Sequence, residues 1–253
     1  MSISVNLLAR RLVDGAARLE TLLLPPRCLV CEAPGRPGLD LCTACHDALP
    51  WLGAACPGCA EPMPGAGAGA GGRARVRCDQ CLQTPWPLDT VLAALRYAPP
   101  VDRLLPRFKF HQDLAAGRVL AALMAAAIGD RLGPALHPTV LVPVPLHRSR
   151  LRARGYDQAA QLSGLLARQL GLPRQSLLRR VVATAPQSEL DAPARRCNLR
   201  GAFACRRTPP PHVVLVDDVM TTGATLRAAA GALRRAGAQR VDAWVCARAV
   251  RDN

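Results

Sequence analysis

The sequence predicts an α/β fold with a mostly parallel sheet flanked by helices, preceded by a small cysteine-rich metal-binding module. Three observations lead there. Four Cys-x-x-Cys pairs crowd into residues 28–81. Strand-like and helix-like stretches alternate after Pro87. A continuous apolar run at 213–216 has the character of a buried parallel strand.

The chain opens on residues 1–24, where Leu8, Leu12, Leu19 and Leu23 recur near helical spacing. Arg10, Arg11, Asp14, Arg18 and Glu20 interrupt the segment and make it too polar for a secretory signal. It reads as an amphipathic helix docking on its own protein, with peripheral membrane association or a partner face as the alternative. No apolar run reaches the roughly 18–20 residues that span a bilayer, so the expectation is a cytoplasmic protein without a transmembrane segment.

Residues 25–88 hold the pairs Cys28/Cys31, Cys42/Cys45, Cys56/Cys59 and Cys78/Cys81. Two residues between thiolates let both sulfurs face one ion, and two pairs close a tetrahedral structural site for Zn2+. Intervals of ten and eighteen residues, between the first two pairs and the last two, suit zinc ribbons. Two four-cysteine sites paired in chain order are expected; cross-braced pairing is the alternative. Closed thiolate sites leave no open coordination position for catalysis, and the metal supplies folding free energy that so small a core lacks. The Gly/Ala tract at 65–72 reads as a flexible loop inside the second ribbon. Cys197, Cys205 and Cys246 stand alone and read as ordinary thiols.

The second domain, residues 89–253, offers strands at 90–97, 140–144, 213–216 and 241–246. Helices are expected at 101–110, 114–128, 158–170 and 224–236, the last ending at Gly237 as a C′ residue. After the 213–216 run come two acids, Asp217 and Asp218, at the carboxyl end of the strand, where open α/β sheets bind ligands. A loop of Thr221, Thr222, Gly223, Ala224 and Thr225 then enters a helix. Its amides, its hydroxyls and the helix N-terminus make a phosphate cradle, and the acids suit ribose hydroxyls.

The run from Val213 to Leu226 resembles the phosphoribosyl pyrophosphate (PRPP) motif of type I phosphoribosyltransferases, which implies that fold for residues 89–253. By that resemblance Asp217 and Asp218 are the catalytic acids that bind the ribose hydroxyls. Thr221, Thr222, Gly223, Ala224 and Thr225 then hold the 5-phosphate, and Mg2+ accompanies PRPP. The likeness extends to the ComF family of competence proteins, through the cysteine pairs, Lys109-Phe110, the Val142-to-His147 stretch, Arg154-Gly155-Tyr156, and later Gln187, Arg196, Asn198 and Gly201-Ala202-Phe203. That resemblance implies a role in DNA uptake during natural transformation, with single-stranded DNA or the uptake machinery as partner.

The segment after 140–144 sits where related transferases contact pyrophosphate, so Arg148, Arg152 and Arg154 are candidate pyrophosphate ligands, the alternative being a solvated basic loop. Residues 184–200 resemble a mobile loop closing over the site. The only lysine, Lys109, neutralises phosphate or lies free at the surface. Net charge is +15, from 33 basic and 18 acidic residues. This points to polyanionic partners, while the dominance of arginine over lysine reflects coding bias. Three functions compete: a transferase of unknown acceptor, a strand-binding protein and a PRPP sensor.

Overall fold

The computed structural model describes residues 25–63, 76–132, 140–182 and 201–250. The expected helix at 1–24, the Gly/Ala tract and the 184–200 loop, with Gln187, Arg195, Arg196, Cys197 and Asn198, lie outside the described residues. The chain divides into two compact units, Met1–Leu49 and Pro50–Asn253.

The first unit carries Cys28, Cys31, Cys42 and Cys45 around two tight turns and the short helix α1 (Thr43–Asp47), whose N-cap is Cys42. Among the described residues of this unit, Cys28 and Leu41 are almost fully buried.

The second unit is built on a four-stranded parallel sheet. Its strands are β1 (Val91–Arg96), β2 (Val140–Pro143), β5 (His212–Met220) and β6 (Arg240–Arg248), ordered β1-β6-β5-β2. Two further strands, β3 (Leu178–Arg180) and β4 (Phe203–Cys205), pair antiparallel beside it. Residues 50–52 add an antiparallel fringe to β1, with the Leu52 amide donating to Ala94 O at 3.0 Å.

Both faces of the sheet are covered, which is why 213–216 of β5 and 243–247 of β6 read as unbroken apolar runs. Val213 and Leu215 of β5 and Val241, Ala243 and Val245 of β6 belong to the core that includes Leu226, Ala229, Ala230 and Leu233 of helix α7 (Ala224–Arg235). The alternate positions Val214, Val216, Trp244 and Cys246 are equally buried. On that side pack α4 (Leu114–Leu132) and α6 (Gln158–Leu170).

Helix α3 (Val101–Phe110) turns Val101, Leu104, Leu105 and Phe108 inward at helical spacing and lies against α4. Gly117 makes that approach feasible, because a Cβ there would stand 2.6 Å from the Phe108 ring. Full burial of Phe108 contributes about 2–3 kcal/mol.

The structure adds a helix where the sequence suggested a basic loop: α5 (Arg148–Arg154). His147 caps it by accepting from the Ser149 amide at 3.3 Å, and Gly155 ends it in the left-handed region at φ 81°. Four arginines and one leucine in seven residues leave no apolar periodicity to read, so only the caps betray the helix. The antiparallel β3–β4 pair also escapes the sequence pattern, each strand being three residues long.

The second ribbon, α2 (Asp79–Gln83) and its cysteines, belongs to the same compact unit as the sheet. Cys56, Cys59 and Cys81 share a hydrophobic cluster with Val91, Met220 and Leu226, and the Val91 amide donates to Pro57 O at 2.8 Å.

Candidate functional site

The two metal groups form as the chain order predicts: Cys28, Cys31, Cys42 and Cys45 in one, Cys56, Cys59, Cys78 and Cys81 in the other. All sulfurs of a group lie within 4.8 Å of one another, and Cys31–Cys42 and Cys59–Cys78 are each 3.6 Å apart. Tetrahedral Zn–S bonds of about 2.3 Å place sulfurs roughly 3.8 Å apart, so the geometry fits zinc. Cross-bracing is excluded by this grouping.

The electrostatics agree with a cation at each centre. Burial raises the Cys56 thiol, but amides of Cys78, Gly58 and Cys59 outweigh it and bring it down to about 7. Cys28 falls to about 6 in the same way, against its own burial and through the amides of Cys42, Val30 and Cys31. Burial and the neighbouring Cys56 charge push Cys81 up to about 12, and Cys45 and Cys59 are also raised. Four thiols so close cannot all ionise without a metal to neutralise them.

The third centre lies at the carboxyl end of β5. Pairing with β2 stops at Pro143 and Val216, whereas pairing with β6 continues to Met220 and Arg248. The strand therefore runs four residues past its β2 neighbour, and Asp217 and Asp218 sit on that overhang. An open cleft is lined there by Asp217, Met220 and the loop of Thr221, Thr222, Gly223, Ala224 and Thr225.

Gly223 occupies the N-cap position of α7 in the left-handed region, φ 71°, and offers no capping side chain to the first-turn amides. The Thr222 hydroxyl accepts from the Ala224 amide at 3.4 Å. Trp86 packs on Gly223: a Cβ there would meet Trp86 Cζ3 at 2.5 Å and Met220 Cε at 2.8 Å. Arg227 stacks on the same indole at 5.1 Å.

Asp218 is nearly buried and forms an ion pair with Lys109 at 2.9 Å. Asp217 is pushed up to about 8, first by burial and then by the adjacent Asp218 charge, with Lys109 pulling the other way. Each acid also accepts a backbone amide, Asp217 from Asp218 at 2.9 Å and Asp218 from Val219 at 2.7 Å. Asp157 contributes further negative potential at Asp217 and Arg180 positive.

Of the three arginines singled out, Arg148 and Arg152 are exposed on α5. Arg154 is half-buried, donates to Gln158 Oε1 at 2.9 Å and stacks over Phe110 at 5.2 Å. The N-terminus of α5 lies at the same sheet edge as the acids, because the Val144 amide donates to Val216 O at 3.0 Å. Asp157 fixes this region, accepting from the Leu146 amide at 3.0 Å and capping α6 through the Ala160 amide at 2.9 Å.

Two residues that sequence reasoning passed over organise the cleft. Arg248, 9% exposed, donates to Cys59 O at 3.1 Å and Met220 O at 3.2 Å, to Thr221 O, and to Glu61 Oε2 at 2.6 Å. It ties the second ribbon to the start of the phosphate-type loop. Trp86 packs on Gly223 of the same loop. Nothing in the sequence separates Arg248 from the many other arginines, or Trp86 from Trp51 on the opposite flank of the second ribbon.

Comparison with known proteins gives two domain matches. A model described as a double zinc ribbon domain matches residues 19–82, and one described as a phosphoribosyl transferase domain matches residues 157–252. Competence protein F of Haemophilus influenzae is 37% identical over 179 residues, covering 68% of this chain and 78% of that protein. DNA utilization protein YhgH of Escherichia coli K12 is 32% identical over 232 residues, covering 90% and 99%. Competence protein ComFC of Bacillus subtilis is 26% identical over 213 residues, covering 80% and 81%. The four-thiol groups are thus structural zinc sites of a double ribbon, and the parallel sheet is that of a phosphoribosyltransferase domain.

Proposed function

Because the chain belongs to the ComF family of competence protein F and the DNA utilization proteins, we propose that it binds PRPP with Mg2+ and serves the uptake or use of incoming single-stranded DNA in the cytoplasm. The observation that carries this reading is the overhang of β5, where two acids, followed by Val219 and Met220, lead into a Thr-Thr-Gly-Ala-Thr loop at a helix N-terminus.

In this reading Asp217 and Asp218 accept the ribose 2- and 3-hydroxyls. The amides and hydroxyls of Thr221, Thr222, Gly223, Ala224 and Thr225 take the 5-phosphate. Arg148 and Arg152, exposed on α5, take the pyrophosphate with forked donors. A carboxylate pair plus substrate phosphates is the oxygen set that Mg2+ accepts while keeping several waters, so the residues present fit the ion. When bound, Mg2+ neutralises charge on the pyrophosphate. Lys109 at 2.9 Å from Asp218 Oδ2 and the Val219 amide on Oδ1 hold that carboxylate in place, and the ribose hydroxyl joins Lys109 on it.

A second reading is transfer of the ribosyl group to an acceptor, favoured by the transferase domain match over 157–252. Calorimetric titration of zinc-loaded protein with PRPP and Mg2+ tests the first reading, with binding expected for wild type and lost in Asp217→Asn/Asp218→Asn. Absence of wild-type binding refutes it. Release of pyrophosphate in the presence of candidate nucleophiles, abolished by Asp218→Asn, separates transfer from binding alone.

A further inference from the structure

Beside the acid pair the surface carries an exposed aromatic ring that the PRPP reading leaves unused. Phe110, the last residue of α3, is 62% exposed, and Leu114 nearby in the chain is 56% exposed. Large apolar side chains at such exposure are few among the described residues, and this one lies next in sequence to Lys109, whose ammonium rests on Asp218.

The ring is not merely stranded. Arg154 lies over it with Cζ 5.2 Å from the centroid. That guanidinium is held in place by Gln158 Oε1 at 2.9 Å, and Gln158, 2% exposed, donates in turn to Lys109 O at 3.2 Å. Gln112 Nε2 donates to Arg154 O at 3.4 Å, joining the end of α5 to the segment after α3. A buried glutamine thus fixes the register between a cationic stacking group and a solvent-facing ring. Packing alone does not require this, since the ring buries little.

The side of the ring toward α5 is basic. Helix α5 presents Arg148, Arg150, Arg152 and Arg154 within seven residues and no acid. On the α3 side, Asp113 is held by Arg107 at 2.7 Å and Asp218 by Lys109 at 2.9 Å. An aromatic face with an arginine against it and a basic helix alongside combines the two requirements of a single-strand site: a ring on which a base stacks, and cations that follow the phosphates.

We propose that Phe110 and Arg154 form a base-stacking platform for single-stranded nucleic acid, with the α5 arginines tracking its backbone past the mouth of the ribose-phosphate cleft. This rests on the strand-binding part of the proposed function and locates it. A stacked base here lies one residue from the Lys109–Asp218 pair, so strand and PRPP approach the same edge of the sheet.

The test is fluorescence anisotropy of a labelled oligothymidylate with zinc-loaded full chain, run on wild type, Phe110→Ala and Phe110→Tyr at several salt concentrations. Phe110→Ala should weaken binding about fivefold or more, the lower end of what one stacked base contributes, and Phe110→Tyr should restore it. The slope of affinity against salt should stay that of wild type in Phe110→Ala, because no phosphate contact is lost, and should flatten in Arg148→Ala/Arg152→Ala. PRPP titration of Phe110→Ala, expected to match wild type, shows that the variant is folded. Unchanged oligonucleotide affinity in Phe110→Ala overturns the platform while leaving the strand-binding function standing. Wild type that leaves the oligonucleotide free at low salt overturns both.

Discussion

Lys109 Nζ stands 2.9 Å from Asp218 Oδ2, and the same ammonium draws down the neighbouring Asp217, which burial and the Asp218 charge together hold up near 8. One lysine thus offsets the repulsion between two adjacent carboxyl groups on a strand overhang.

The sign of the pH dependence follows. Asp217 titrates near 8 in the folded protein and ordinarily near 3.8, so its stabilising contribution is complete below about 3.8 and is lost as pH rises through about 8. Ligand-free protein should therefore lose melting temperature between those limits, and Asp217→Asn should flatten that loss in a series of thermal melts.

PRPP with Mg2+ should bind more tightly as pH rises toward 8, with proton release, because the ligand needs the ionised pair. Lys109→Met removes the lowering influence and should move the midpoint of that rise upward by about one unit. Titration calorimetry in buffers of different ionisation enthalpy measures both effects.

The two zinc sites should behave differently when broken. Cys56 and Cys59 share a core with Val91, Met220 and Leu226, so Cys56→Ser/Cys59→Ser should abolish PRPP binding and cooperative melting. Cys28→Ser/Cys31→Ser, in the Met1–Leu49 unit, should lower the zinc content while PRPP affinity persists. Metal analysis with calorimetry on both variants distinguishes them; loss of PRPP binding in Cys28→Ser/Cys31→Ser contradicts the expectation.

Arg248→Ala leaves the carbonyls of Cys59, Met220 and Thr221 without their cationic donor and unpairs Glu61. The expected cost is about 2–3 kcal/mol in urea unfolding, moderated because Glu61 reaches solvent. PRPP affinity should fall as well, since the loop start is no longer anchored to the ribbon.

Gly223→Ala combines a left-handed backbone with a collision against Trp86. It should cost about 1–3 kcal/mol and remove PRPP binding. Adding Trp86→Leu should recover part of the stability, because the steric conflict goes while the backbone strain remains. Equal stability of the single and double variants would show that Trp86 is not the obstacle.

Much of this was legible in the chain alone because the information is local. Cysteine spacing marked the four pairs that bind zinc, since two residues between thiolates bring both sulfurs to one ion; which pairs combine was left between chain order and cross-bracing until the structure grouped them. The apolar run at 213–216 and the acids and loop after it located the cleft, because strand, turn and helix N-terminus are contiguous there. The basic helix α5 was not legible, since its arginines carry no apolar period, and only His147 and Gly155 mark its ends.

What tertiary structure alone decided is how distant segments meet. The ion pair between Lys109 and Asp218 joins a helix end to a strand more than a hundred residues later. The convergence of Cys59, Glu61 and Thr221 on Arg248 fastens the second ribbon to the start of the loop that lines the cleft. The strand overhang exists because β2 stops pairing at Pro143 while β6 runs on to Arg248. Composition and spacing report which groups a segment carries; sheet order and register, fixed by burying two apolar faces at once, determine which of those groups share a site.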